Sequence, residues 1–226
     1  MLIQLAPNLW HVQHAFIAGG LTVTSRMTVV RLVDGSLWLH SPVRISAELR
    51  EELSALGTVS AIVAPNKMHH LFAAAALRDF PQARLYGAPG LSAKLPQLQP
   101  MTTLTPAIPR EWEADLEQIF VDGIPLGNET VWLHKPSRTL IMTDLCQWWQ
   151  GELPIAARMF AALTGVRNAL AVPRTIRWLV KNKSAARASA QRILQWPFER
   201  VIVAHNCVIE VEAHRAVERA FAWFDA

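Results

Sequence analysis

Apolar and polar positions along this chain change period several times, and each change marks an element. Short β-rich runs at 2–5, 9–12 and 27–32 predict strands. Asp34-Gly35 separates the last of these from 36–40, the pattern of a tight hairpin, and Ser41-Pro42 ends the second arm. Over 46–56 the period turns helical. Leu49, Leu53 and Leu56 are spaced by four and three, with Ser46 placed as N-cap and Gly57 as stop. A β-branched run at 59–63 ends near Pro65, His69-His70 follow, and the alanine-rich stretch after them predicts a helix to about Phe80.

Further on, 84–86 reads as a short strand and 91–110, rich in Pro, Thr and Leu, as a long irregular connection. Strand character resumes at 116–121, and 130–134 pairs with 139–143 across a turn at 135–138. Residues 153–195 read as helical with a break at Pro173, 201–204 as a buried strand, and 210–224 as the last helix. The alternation of strands and helices is that of an α/β domain.

Three strands share one grammar: an apolar run, then a side chain able to hold a metal. The run at 59–63 leads to His69 and His70, that at 139–143 to Asp144, and that at 201–204 to His205. Strand ends in α/β folds are where ligands bind. Neutral imidazole and carboxylate are metal ligands, and three or four of them converging at ~2 Å would hold an ion. The same residues also serve structural ends: loop hydrogen bonds for the histidines, a cap for Asp144, a satisfied buried ring for His205. His11, His14, His40 and His214 read as structural or solvent-exposed, and His134 faces into a hairpin.

With 51% hydrophobic and 18% charged residues, the chain of 226 residues is globular and long enough for one domain with a full core. The net charge of +4 is uneven: 153–198 holds eight Lys or Arg and no Asp or Glu, so the rest carries −4. That describes a local surface and is no evidence of general nucleic-acid binding, and no nucleic-acid partner is expected. Cys146 and Cys207 are the only cysteines, too few for a disulfide framework, and no run is long and apolar enough to span a bilayer. A cytoplasmic setting is the expectation. Each cysteine lies two residues beyond a candidate ligand, so a soft ligand or redox pair is open beside the default of two buried hydrophobes.

Several stretches together resemble a divergent, functionally uncharacterised branch of the metallo-β-lactamase superfamily. They are Arg26-Met27-Thr28-Val29-Val30, His40-Ser41-Pro42-Val43, Ala64-Pro65-Asn66, His69-His70-Leu71-Phe72, Ser137-Arg138-Thr139-Leu140 and Thr143-Asp144-Leu145. The resemblance covers nearly the whole chain. It implies a four-layer αββα sandwich over 1–226, with a basic helical insertion at about 150–198 and a metal site at one edge of two sheets. Typical members carry His-x-His-x-Asp-His after the corresponding strand. Here a gapless reading of 66–71 puts His70 at the aspartate position, whereas a one-residue shift puts His69 there and His70 at the final histidine. The third-motif histidine has no counterpart at 123–128, and Glu129 is the nearest ligand-capable residue. Asn206 stands where a glycine often follows the last histidine.

These departures imply a reduced site holding one divalent ion, zinc or iron, through His69 or His70 with Asp144 and His205. The expected catalytic groups are His69, His70 and Asp144, and Trp148-Trp149 are the expected pocket wall. The reaction implied is hydrolysis of a small-molecule ester, thioester, lactone or phosphoester. The alternative is a non-catalytic member of the fold that binds a small molecule, a protein or a membrane surface through 153–198. Apolar and aromatic residues interleaved with cations there suit either a helical cover, which would shape a pocket for an anionic or apolar substrate, or peripheral membrane contact.

Overall fold

Strand β4 (Leu37–His40) shows how the layers arise, because all four of its residues are buried. Leu37 and Leu39 pack to one side and Trp38 to the other, as the two-residue period of a strand requires. Both faces of its sheet must therefore be covered.

The computed structural model describes residues 1–226. The first sheet runs in the order β1 (Ile3–Ala6), β2 (Leu9–Ala18), β3 (Leu21–Arg31), β4, β5 (Val59–Ala64), β6 (Arg84–Gly87), β7 (Thr102–Thr103). It is antiparallel up to β4 and parallel from β4 on. The second sheet contains β8 (Leu116–Phe120), β9 (Thr130–His134), β10 (Thr139–Ile141), β11 (Arg200–Ile202) and β12 (Val208–Ile209), in the spatial order β12-β11-β10-β9-β8. Strands β10 and β11 are parallel. The helices are α1 (Ala47–Leu56), α2 (Ala73–Asp79), α3 (Leu91–Lys94), α4 (Ile155–Thr164), α5 (Arg174–Leu179), α6 (Lys183–Leu194) and α7 (Ala213–Phe221).

Three cores stack into four layers. Helices α1 and α2 bury Leu49, Leu53, Ala73 and Ala76 against Val29, Leu39 and Ile62 of the first sheet. Between the sheets lie Trp38, Trp112, Trp132, Val30, Ile141 and Ile202. On the far side, Val131, Leu140 and Val201 meet Ala190 and Ile193 of α6 and Val217 and Phe221 of α7. This is the expected αββα sandwich. Because β4, β5 and β6 are parallel, their carboxyl ends share one edge, and the ends of β10 and β11 likewise leave their sheet together.

Several elements differ from the sequence pattern. Strands β2 and β3 run through 13–26, where only their inner halves are apparent from the pattern. They close on a two-residue turn, Gly19-Gly20, with φ of 55° and 79°. Past Val12 the hairpin leaves the core, Gln13, Ala15 and Ile17 are exposed, and the burial that would reveal a strand fades. Residues 91–110 are not wholly irregular: they hold α3 and β7, which completes the sheet edge. The expected helical stretch at 153–195 is three helices, with α5 starting after Pro173 and Asn182 capping α6 through the Ala185 amide. Helix α6 packs in the outer layer on the second sheet. Strand β12 is too short to show in the pattern.

The junction leading into α6 is tight. The amides of Lys181 and Asn182 both donate to the Gly123 carbonyl. Gly123 has φ +80°, and a Cβ there would lie 2.1 Å from the Asn182 carbonyl oxygen. Gly123→Ala is expected to destabilise the protein by about 3 kcal/mol. Chemical denaturation checks this, and a loss below about 1 kcal/mol would mean the junction yields at little cost.

Candidate metal centre

Residues 64–70 turn sharply after β5 because Asn66 folds its side chain back on the loop. Its Oδ1 accepts from the amides of Met68 and His69, both at 2.7 Å, the side-chain mimic of a backbone turn. That turn points His69 inward. His70 is half-buried on the other side, and burial, then the Lys94 charge, lower its pKa.

Asp144, just past β10, is fixed from behind by Glu129. The buried Glu129 carboxylate accepts from three consecutive amides, Thr143 at 2.6 Å, Asp144 at 2.8 Å and Leu145 at 2.9 Å. Asn66 Nδ2 lies 3.0 Å from Asp144 Oδ2 and 3.3 Å from Glu129 Oε2. Gln147 Nε2 donates to Asp144 Oδ1 at 3.1 Å. His205 follows β11 and is backed by the Trp149 ring at 5.7 Å between centroids.

Three side chains converge. His69 Nε2 is 3.3 Å from Asp144 Oδ2, and His205 Nε2 is 3.2 Å from Asp144 Oδ1. The donor atoms of all three lie within 4.8 Å of one another. Ligand bonds of ~2 Å to a shared ion set donors roughly 3–3.5 Å apart. The two histidine–carboxylate distances match that spacing, and the three residues form a group that could hold an ion.

The outward ring nitrogens matter as much. His205 Nδ1 bonds the Thr24 carbonyl, an acceptor only, so Nδ1 carries the hydrogen. His69 Nδ1 pairs with Ser41 Oγ at 2.8 Å. A neutral His205 therefore turns a bare Nε2 lone pair toward a carboxylate. That contact is repulsive unless a proton or a cation lies between them, and such outward hydrogen bonds are how ligating histidines are oriented.

Electrostatics follow the geometry. Burial alone would raise Asp144, but the facing His69 charge and hydrogen bonds from His205 and His69 hold it well below the usual carboxylate range. Burial alone would lower His69, and the Asp144 carboxylate reverses the shift. Glu129 is raised by burial and by the Asp144 charge.

The trio sits in a cleft of about 370 Å³ lined by Phe16, Met68, Leu71, Phe72, Ile176 and Leu179, among others. No Lys or Arg lines it.

Of the candidate ligands, the structure brings together His69, Asp144 and His205. His70 and Glu129 stand outside the trio, His70 because the Asn66 turn faces it away and Glu129 because backbone amides saturate its oxygens. Neither reading of the loop is matched in full: His69 faces the trio, as the one-residue shift requires, but His70, which that shift puts at the final histidine, does not. Trp148 and Trp149 do not line the cleft: Trp149 is buried behind His205, and Trp148 packs on the second sheet's core. Aromatic character alone did not reveal which side of the loop each ring would take. The wall comes instead from the β2–β3 hairpin and α5. Both thiols are buried, Cys146 pushed far above its usual value and Cys207 to about 12, so neither supplies thiolate near neutral pH. Asn66, Gln147, Ser41 and Thr24 were missed as supporting residues. Only the Pro65-Asn66 turn after a strand could have signalled the first of them.

A protein-family model described as "Domain of unknown function (DUF4336)" matches residues 7–159. No curated protein matches the chain. Among solved structures, a metallo-β-lactamase from Pontibacter korlensis is 12% identical with a TM-score of 0.68, covering 100% of this chain and 98% of that one. One from Hirschia baltica is 12% identical at TM-score 0.66, covering 99% and 96%. One from Erythrobacter litoralis is 13% identical at 0.64, covering 99% and 91%. At these identities the likeness is one of fold, and it spans both chains almost entirely.

Proposed function

The chain belongs to the DUF4336 family on a metallo-β-lactamase-like scaffold, and from that premise we propose that it is a single-metal hydrolase of apolar esters, thioesters or lactones. One observation carries the reading: two Nε2 atoms face one carboxylate while each ring's Nδ1 is engaged outward. His69, Asp144 and His205 would hold a divalent ion, zinc or iron. Bound there, it would act as a Lewis acid toward a carbonyl oxygen. The chain's own groups do the rest. Asn66 and Gln147 hold the Asp144 carboxylate, Ser41 and Thr24 orient the rings, and the apolar wall binds an acyl group and keeps water away. With no cation on the cleft wall, an anionic phosphoester is the poorer fit among the substrates that the family resemblance implies.

A second reading is favoured by the contact between His69 and Asp144, which raises the His69 pKa. A proton held between the two satisfies that half of the trio without an ion, as in a non-catalytic member of the fold. Metal analysis of protein purified without chelators or metal-affinity resin separates the two. About one equivalent is expected. His69→Ala, Asp144→Ala and His205→Ala should weaken binding by more than the roughly 100-fold typical of losing a supporting partner, while His70→Ala retains it. Hydrolysis of p-nitrophenyl esters should then rise with acyl length in the loaded protein. Absence of binding to added zinc or ferrous ion would leave only the second reading.

A further inference from the structure

Helix α4 is packed inside out. It buries its small residues Ala157, Ala161 and Thr164 and turns Ile155, Met159 and Leu163 outward at 68%, 59% and 69% exposure. An amphipathic helix of a soluble domain does the reverse. The three residues are spaced by four, so they form one stripe, with Arg158 exposed beside it. A second helix adjoins the end of the stripe. Arg174 Nη1 donates to the Leu163 carbonyl at 2.9 Å, joining the end of α4 to the start of α5. Trp178, one turn further along α5, is 78% exposed. The other side of α5 supplies Ile176 and Leu179 to the cleft.

We propose that this α4–α5 face docks on an anionic membrane surface. Large apolar side chains and a tryptophan, accompanied by arginines, match the boundary between headgroups and acyl chains. Charge selects the occupant. Arg158 and Arg174 are exposed on these two helices, neither α4 nor α5 contains a carboxylate, and Glu152 is the acidic residue adjoining α4 in sequence. A second copy meeting the same face about a two-fold axis would oppose Arg158 and Arg174 with their own images. An anionic lipid surface instead attracts each of them. No helix is long and apolar enough to cross a membrane, so the contact is peripheral. The inference stands apart from the proposed hydrolase activity.

Sedimentation of the full chain with vesicles tests it, comparing phosphatidylcholine alone with equal parts of phosphatidylcholine and phosphatidylglycerol. Binding is expected to the anionic vesicles, falling as salt is raised. Met159→Asp and Trp178→Ser, which touch neither the trio nor its supports, should each weaken it roughly tenfold or more. Val211→Asp, at an apolar residue 81% exposed elsewhere, should leave it unchanged. Thermal melts of each variant confirm folding. Three results would overturn the proposal: no sedimentation with either vesicle, equal weakening by Val211→Asp, or a dimer in ultracentrifugation that Met159→Asp splits.

Discussion

Glu129→Gln is expected to destabilise the protein by about 3 kcal/mol and to weaken metal binding roughly 10- to 100-fold, although Glu129 is not among the trio. Every group facing its two oxygens is a donor: three backbone amides and the Asn66 side chain. A glutamine keeps the shape but replaces one acceptor with a donor. Whichever way the amide is turned, at least one buried N–H then meets another N–H. A charge-assisted hydrogen bond contributes roughly 1.5–3 kcal/mol, and an orphaned buried donor costs about 1–3 kcal/mol. The damage falls on 143–145, the segment that aims Asp144. Denaturant midpoints and metal titration read the two effects separately. Unchanged stability would mean the amides find other partners, and unchanged affinity would mean Asp144 is aimed by Asn66 and Gln147 alone.

The second large effect is acid sensitivity above the carboxylate range. His40 is fully buried against Trp38 and Trp132, and its Nε2 has no partner. Burial, then repulsion from His69, lowers it to about 3. His134 is lowered to about 4 by burial, partly opposed by Asp115, and its Nε2 is also unpartnered. His11 is lowered to about 4 by burial and then by Arg26. In the unfolded chain each takes a proton near 6.5. Below that pH the unfolded state binds more protons than the folded one, so stability is complete above about 6.5 and is lost as pH falls toward the folded values. For His40 and His134 the loss is about 1.4 kcal/mol per pH unit each, large against a total of roughly 5–15 kcal/mol. His11 adds in the same direction. His69, raised by Asp144, works the other way. Denaturation series from pH 7.5 to 4.5 should show a steep decline, made shallower by His40→Phe, which keeps the ring stack and removes one site of proton uptake. A flat profile would show that these histidines gain partners in solution.

Much of the fold was legible because burial imposes a period. The four-and-three spacing of leucines marked α1, with both its caps, and the β-branched runs marked β5 and β11. Asp34-Gly35 marked the β3–β4 hairpin, since few residues adopt its backbone angles. The outer half of the β2–β3 hairpin escaped because it stands clear of the core, where nothing enforces alternation. The loop after β5 was legible as a place but not as a geometry: two adjacent histidines are equivalent in the sequence, and only the Asn66 turn decides that His69 faces in.

The sequence by itself determined the alternation of elements, the three strand ends that carry His69, Asp144 and His205, and the cationic stretch at 153–198. Those are local properties, written in the chemistry of neighbouring residues. The tertiary structure alone decided that the three strand ends meet, that Glu129 supports Asp144 instead of joining the trio, and that α4 turns its large side chains to solvent. Each depends on groups tens of residues apart, brought together by the stacking of two sheets that no local window contains.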